Sequence, residues 1–225
     1  PYYISRYWAD PNRGEQIDRR LKVNSKLDIE DMKSILNEIT SPFAQEYSTL
    51  FNKNYTQGFS NNGDMLYNIL NGWDGIESID SDATVVFHAI YIQLVQNLFQ
   101  DELQSFGNDS FDTFYSLKYI RSLAIRSIFD GNATLWVDNV LTSKKETLND
   151  IVNQSFDDAH DFLTKNYGNP KELTWGDVHQ VTYRHRLNGD PLVKTFINFS
   201  TGPFPMAGSG MTPRAASYSV SDPFD

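Results

Sequence analysis

The chain has 225 residues, of which 40% are hydrophobic and 14% aromatic, enough to bury a sizeable core as one large domain or two small ones. Its 19 basic and 29 acidic residues give a formal charge of −10, and the basic residues are scattered, so we expect no nucleic-acid partner. The absence of cysteine excludes disulfides, cysteine-based zinc sites and thiol nucleophiles within these residues. No run of eighteen apolar residues occurs, so we expect no membrane span.

Helical patterns dominate the first three quarters of the chain. The first strong signal is Asp28, which is predicted to be an N-cap with Asp31 at the third helical position. Apolar residues follow it at helical spacing, at Ile29, Met32, Ile35, Leu36 and Ile39. Shorter helices are predicted over residues 14–23, 42–54, 64–71 and 112–129.

Two long helices have the clearest patterns. Apolar residues recur at i, i+3, i+4 and i+7 over residues 83–99, which predicts a buried helix. A second helix is predicted over residues 144–167, where Ser143 and Glu146 form a capping box and Gly168 and Pro170 are stop signals. Together these patterns predict a mostly helical region over residues 1–187.

The pattern changes after Asn188. Residues 188–225 contain turn pairs, several prolines and only short alternating stretches, which is typical of loops with one or two short strands. We therefore expect a mainly α fold with an irregular, truncated C-terminal tail.

The segment KELTWGDVHQVTYRHRLNGDP, residues 171–191, raises the question of a metal site. Asp177, His179 and His185 could be ligands of zinc or a similar ion in a metal-dependent hydrolase. However, positions i and i+6 of a helix lie about 120° apart around its axis, so the two histidines share no helical face. We favour a structural interpretation, in which Trp175 packs, Gly176 permits a tight turn and His179 makes a hydrogen bond in a partly buried position.

Three further patterns have simpler explanations. Gly-Ser-Gly at residues 208–210 lacks the G-x-S-x-G spacing of a strained nucleophile elbow. Helix capping and solvation explain the acidic pairs at positions 80 and 82, 109 and 112, and 157 and 158. Asp74-Gly75 lacks the pattern of a calcium loop and is predicted to form a turn between two helices.

Four motifs extend along most of the chain in a fixed order. They are YYISRYWADPNRGEQIDRRL, KLDIEDMKSIL, LYNILNGWDG with an acidic spacer and a long helix after it, and LTWGDVHQVTYRHRLNGDPL. In order and spacing they resemble the β chain of the penicillin acylase family of N-terminal-nucleophile amidohydrolases. The resemblance implies an internal segment of that chain, part of a larger α+β hydrolase with four αββα layers.

The resemblance also implies a mechanism. In this family a Ser, Cys or Thr at the start of the β chain attacks an amide, and its own α-amine serves as the general base. A backbone N–H and an Asn side chain form the oxyanion hole. Both groups would lie upstream of Pro1, so we expect these residues to be inactive alone. The implied partners are the remainder of the β chain, the α chain of the same precursor and a small acylated amide substrate.

Among the residues that match the family, Arg13 is the one that the resemblance places near the active site. Its guanidinium would orient the oxyanion Asn or meet a substrate carboxylate. The alternative is an ion pair with Asp10 or Glu15 at the start of a helix. The other matching residues are predicted to be scaffold that holds the helical layer against the nucleophile-bearing sheets: Trp73, Asp74, Gly75, Trp175, Gly176 and His179.

Calcium, the cellular location, the acyl substrate and the nucleophile are not assigned from these residues. Many relatives bind calcium partly through an acidic residue shortly before the arginine, but Tyr2 and Tyr3 stand at the matching positions, so we assign no cofactor to these residues and leave calcium open for the full-length protein. The resemblance is compatible with an extracytoplasmic location, while the sequence leaves the compartment, the acyl substrate and the nucleophile undetermined. A helical interaction module without catalytic activity is the alternative from another class.

Overall fold

The computed structural model of the protein describes residues 10–107, 109–189 and 199–216. Over these ranges the chain is mainly helical, as predicted, with one short antiparallel sheet near the C-terminal end. The elements are α1 (Asn12–Leu21), α2 (Ile29–Leu36), α3 (Pro42–Asn54), α4 (Asn61–Leu70), α5 (Asp82–Gln104), α6 (Ser110–Ser116), α7 (Lys118–Phe129), α8 (Leu148–Asn166), α9 (Trp175–Val178), β1 (Gln180–Tyr183) and β2 (Thr201–Pro205). The predicted features at Tyr2 and Tyr3 lie outside the described residues.

Helix α5 is the centre of the core, as its periodicity predicts. Ser81 caps it, since the Ser81 hydroxyl accepts a hydrogen bond from the Thr84 N–H at 3.1 Å. No Lys or Arg interrupts the apolar sequence from Ala83 to Phe99, and almost every residue of this stretch is buried. Helices α4, α6 and α8 pack on α5, and Phe43 and Phe51 of α3 contact Phe87, which explains why residues 83–95 of α5 are buried on all sides.

Helix α8 starts later than predicted. Its capping box consists of Thr147 and Asp150, so the helix begins at Leu148 and the predicted box at Ser143 and Glu146 is wrong. The physical reason lies in the contacts of Glu146, whose carboxylate accepts hydrogen bonds from the Asn139 N–H and the Thr142 hydroxyl. Glu146 therefore organises the preceding loop, and Thr147, the next residue along, provides the cap.

The single helix predicted over residues 112–129 is two helices, α6 and α7. Leu117 separates them with a ψ of 68°, which is outside the helical range. The carbonyl oxygen of Tyr115 accepts a hydrogen bond from the Arg121 guanidinium at 2.8 Å, where a continuous helix would use a backbone N–H. The buried Arg121 thus obtains a partner at the break, and the sequence period alone does not reveal this.

The predicted N-cap of α2 is confirmed, but most of its apolar residues are not buried. Asp28 and Asp31 form a reciprocal capping box. Of the apolar residues that follow, Ile35 is 5% exposed, whereas Ile29 and Leu36 are 74% and 67% exposed. The apolar periodicity predicted this helix correctly, but it did not predict which of the apolar residues are buried.

The sheet joins two parts of the sequence that differ in pattern. Strand β1 lies before residue 188 and pairs with β2, which lies in the predicted loop-rich tail. Val181 faces Phe204 across the pair, and Gln180 faces Pro205. Among the described residues, no helix is both long and apolar enough to cross a membrane.

Candidate active-site cleft

Arg13 lies on the first turn of α1 and lines a cleft of about 330 Å³. One wall of this cleft, which we call the Arg13 cleft, is the N-terminal end of α1. The other wall is the turn at residues 208–212, which contributes Gly210 and Met211. The remaining described residues that line the cleft are Asp10, Pro11, Gly14 and Ile17.

The start of α1 is fixed by Asp10. One carboxylate oxygen of Asp10 accepts a hydrogen bond from the Asn12 N–H at 3.0 Å, and the other accepts one from the Ser122 hydroxyl of α7 at 3.5 Å. Pro11 stands at the N-cap position and offers no side-chain acceptor. The Asp10 carboxylate therefore satisfies the first N–H of α1, and the positive end of the α1 dipole lies at the cleft, where it favours a negatively charged or carbonyl group.

The guanidinium of Arg13 is exposed. Among the described residues, no carboxylate lies within ion-pair distance of it, so the alternative ion pair with Asp10 or Glu15 does not form. The Asp10 carboxylate is instead used to position the backbone of α1. Arg13 thus keeps its donors available at the cleft.

A buried aromatic cluster lies close to Asp10. The Arg121 guanidinium is 3% exposed and lies 4.3 Å from the ring centre of Tyr115 and 5.5 Å from that of Tyr91. Burial raises the pKa of Tyr91, although the positive charge of Arg121 opposes this. Burial also raises the pKa of Tyr47, and the charge of Asp10 adds to the effect. These tyrosines therefore stay neutral at physiological pH, close enough to Asp10 for its charge to affect their pKa values.

The Trp73-Asp74-Gly75 motif lies in the connection between α4 and α5, directly after the turn at residues 71–72. Asp74 accepts the Ile76 N–H at 3.0 Å through its side chain. The Gly75 carbonyl oxygen accepts the Ser41 N–H at 2.9 Å, which ties the connection to the start of α3. Trp73 packs on Phe87 of α5 at 5.5 Å between ring centres. All of these contacts are structural.

The Trp175-Gly176 pair is not the tight turn that the sequence predicts, because it forms the first turn of helix α9. Gly176 is required for a close approach: a Cβ there would lie 3.0 Å from Pro205 Cβ and 3.1 Å from the Ile79 carbonyl oxygen. Trp175 is fully buried. Its ring is stacked with the His179 ring at 4.5 Å and with the His88 ring of α5 at 4.6 Å.

The C-terminal segment at residues 206–212 is attached to this stack by hydrogen bonds. Trp175 Nε1 donates to the Gly208 carbonyl oxygen at 3.0 Å. His179 Nδ1 lies 2.7 Å from the Met206 carbonyl oxygen, and the Met206 N–H donates to the His179 carbonyl oxygen at 3.0 Å. The prediction that His179 makes a hydrogen bond is thus met, and the histidine is only 2% exposed. The same segment continues into the wall of the Arg13 cleft.

Sequence reasoning missed one buried pair beneath this segment. Glu77 is fully buried, and its carboxylate lies 3.5 Å from His88 Nε2. The Glu77 backbone carbonyl oxygen accepts the Gly208 N–H at 2.8 Å. The sequence feature that could have indicated this pair is His88, a polar residue in the middle of a helix predicted to be buried.

The structure does not assemble the candidate metal ligands. Asp177 accepts hydrogen bonds from Thr174 as part of the α9 cap, and His185 Nδ1 accepts the Leu187 N–H at 3.2 Å. In the described part of the chain, His, Asp and Glu side chains do not form a group of three that could hold a metal ion. Ser209 of the Gly-Ser-Gly stretch is fully buried, and its hydroxyl accepts the Met211 N–H at 3.1 Å, so it serves as a turn residue.

The family model for penicillin amidase matches residues 1–225, the whole chain. The chain therefore belongs to the penicillin amidase family, and at the level of the family it is part of an acylase-like amidohydrolase. No curated protein matches the sequence.

Proposed function

We propose that the protein is an N-terminal-nucleophile amidohydrolase, and that residues 1–225 contribute the Arg13 cleft to its active site. The enzyme hydrolyses the amide bond of a small acylated substrate through an acyl-enzyme. Membership of the penicillin amidase family supports the reaction class. One structural observation supports the role of the cleft: the Arg13 guanidinium, with no ion-pair partner among the described residues, lies beside the positive end of α1.

The chemistry of the cleft suits a supporting role in amide hydrolysis. A guanidinium carries five N–H donors in a planar fork that matches a carboxylate or a carbonyl oxygen. Arg13 would therefore hold a substrate carboxylate, or the carbonyl oxygen of an Asn side chain whose N–H groups stabilise the tetrahedral intermediate. Ile17 and Met211 add apolar surface beside it. The nucleophile would come from the part of the β chain that the resemblance places upstream.

Arg13→Ala in the full-length protein tests this role. We expect kcat/KM for phenylacetyl or decanoyl 4-nitroanilide to fall about tenfold or more, because one oriented charge contact is lost. Arg13→Lys should recover only part of the activity, since an ammonium lacks the planar fork. Arg19→Ala is the matched control, because Arg19 is an exposed arginine of the same helix that hydrogen-bonds Gln16 and lies away from the cleft.

The outcomes separate the alternatives. An unchanged kcat/KM in Arg13→Ala would remove Arg13 from the active site. If the wild-type full-length protein hydrolyses neither anilide, the amidohydrolase proposal fails and the helical interaction module is favoured. Residues 1–225 alone should show no hydrolysis above background, because we place the nucleophile and the oxyanion donors elsewhere in the precursor. Activity of this segment that survives Arg13→Ala would contradict that placement.

Calcium and the partner chains belong to the same proposal. The positions that match a calcium ligand in relatives carry Tyr2 and Tyr3, whose phenols do not fit a cation that prefers carboxylate oxygens. We therefore propose no calcium site at these two residues. The remainder of the β chain and the α chain of the precursor would supply any calcium ligands as well as the nucleophile.

A further inference from the structure

We propose that Trp175 and His179 are positioning residues for the Arg13 cleft, and that they act through the segment at residues 206–212. Neither residue lines the cleft, but both hold the segment that forms its second wall. The inference rests on the proposed function, since it assumes that substrate binds in the cleft. The motif Trp175-Gly176-x-x-His179 then has a role in substrate binding in addition to its role as scaffold.

His179 fixes Met206 through two hydrogen bonds. A carbonyl oxygen can only accept a hydrogen bond, so His179 Nδ1 carries the proton that it donates to the Met206 oxygen at 2.7 Å. The backbone N–H of Met206 donates back to the His179 carbonyl oxygen at 3.0 Å. Met206 therefore cannot shift unless two hydrogen bonds break.

Gly208 is held by hydrogen bonds at both its carbonyl oxygen and its N–H. Its carbonyl oxygen accepts the Trp175 indole N–H at 3.0 Å, and its N–H donates to the Glu77 carbonyl oxygen at 2.8 Å. Trp175 has no freedom to follow a moving partner, because its ring is fully buried and is stacked with two histidine rings. The indole thus sets where the segment turns towards the cleft.

Hydrogen bonds within residues 209–212 connect the position of Gly208 to the wall of the cleft. The Ser209 N–H donates to the Thr212 hydroxyl at 3.0 Å, and the Met211 N–H donates to the Ser209 hydroxyl at 3.1 Å. The Thr212 hydroxyl in turn donates to the Arg214 carbonyl oxygen. These bonds close residues 209–212 into a compact turn, so a displacement at Gly208 moves Met211 with it. Met211 is one of the two residues that this turn contributes to the cleft.

The experiment uses the full-length protein and the anilide that the wild type hydrolyses. We expect His179→Leu to raise KM about three- to tenfold, with kcat within about twofold of wild type, because the wall of a binding cleft moves while the nucleophile does not. His179→Asn should restore KM, since the Asn amide can place an N–H donor near the position of Nδ1. A purely structural role would lower the melting temperature and the active fraction but leave KM unchanged.

A second pair of variants tests Trp175. Trp175→Phe keeps an aromatic ring and removes the donor to Gly208, so KM should rise as in His179→Leu. Trp73→Phe is the matched control, because the Trp73 indole N–H is buried without a hydrogen-bond partner in the described structure. This control should leave KM at the wild-type value.

A double variant tests whether His179 acts on the cleft through Met211. Met211→Ala should raise KM by itself, and adding His179→Leu to it should raise KM much less than the product of the two single effects. A wild-type KM in His179→Leu overturns the positioning inference. If Arg13→Ala still lowers kcat/KM in that case, the proposed function stands and only this inference fails. If Arg13→Ala is unaffected, the proposed role of the cleft fails first.

Discussion

The α5–α8 core and the segment at residues 206–212 are both largely buried, but different forces hold them. In the core, apolar side chains such as Phe87, Leu94 and Phe156 fill space against one another, and the contribution of each scales with its buried surface. In the segment, the backbone is fixed by hydrogen bonds from the Trp175 and His179 side chains and by the Gly208 N–H, which donates to the Glu77 carbonyl oxygen. The stability of the core therefore depends on how well its buried side chains fill space, whereas the shape of the Arg13 cleft depends on a few individual hydrogen bonds.

The largest effect should come from the core. Phe87 is fully buried in α5 and contacts the rings of Phe51 and Trp73. We expect Phe87→Ala to lower the free energy of unfolding by about 3–5 kcal/mol, because the lost surface leaves a cavity among rigid neighbours. Urea denaturation of the protein measures this change. Phe106→Ala is the control: Phe106 is 77% exposed, so its loss should change stability by less than about 0.5 kcal/mol.

The next effect should come from the backbone of the segment. Gly208 has a φ of +81°, and a Cβ there would lie 2.7 Å from the Thr212 hydroxyl and 2.9 Å from the Arg214 carbonyl oxygen. We expect Gly208→Ala to cost about 2–3 kcal/mol of stability and to raise KM, since the turn must shift.

Gly72 provides the matched control for Gly208. It has a φ of +80°, but a Cβ there would meet nothing within 4 Å. Gly72→Ala should therefore cost only the backbone strain, about 1 kcal/mol, and leave KM unchanged. Equal losses of stability in the two variants would show that the contacts around Gly208 contribute little. That result would contradict the claim that specific contacts hold the segment at residues 206–212.

The same contrast explains what the sequence could predict. The buried helix at residues 83–99 was predicted because its apolar period reports directly on packing. The break at Leu117 was not, since it depends on the Arg121 guanidinium reaching the Tyr115 carbonyl oxygen. The predicted start of α8 was wrong, because Glu146 does not form a capping box with Ser143. Its carboxylate instead accepts a hydrogen bond from the preceding loop.

The candidate site was predictable only in part. The family resemblance singled out Arg13, and the structure places it at a cleft, but the second wall of that cleft is almost two hundred residues later in the chain. No periodicity links α1 to the turn at residues 208–212. The position of that turn depends on hydrogen bonds from the Trp175 and His179 side chains to the carbonyl oxygens of Gly208 and Met206, and because every residue type has a backbone carbonyl, no sequence pattern reveals these acceptors.

The smallest effect should arise at the C-terminal end of α5, where the apolar core meets a carboxylate. Burial raises the pKa of Glu102 to about 7, and its hydrogen bond with Asp101 and the nearby charge of Asp138 add to the shift. A carboxyl whose folded pKa lies above its ordinary 4.5 binds its proton more tightly in the folded state. Stability from this group is therefore fully present below about pH 4.5, falls as the pH rises through about 7, and is lost above that.

Glu102→Gln should remove this pH dependence, because a neutral amide takes the place of the titrating carboxyl. We expect the variant to be more stable than wild type at pH 8, by about 1 kcal/mol once solvent screening of this partly exposed group is allowed for, and nearly equal to it at pH 4.5. Thermal unfolding at the two pH values measures the difference. Glu30→Gln on the exposed surface of α2 is the control and should show the same difference from wild type at both. If Glu102→Gln behaves like that control, the end of α5 is solvated like an ordinary surface, and the boundary of the apolar core lies before Glu102.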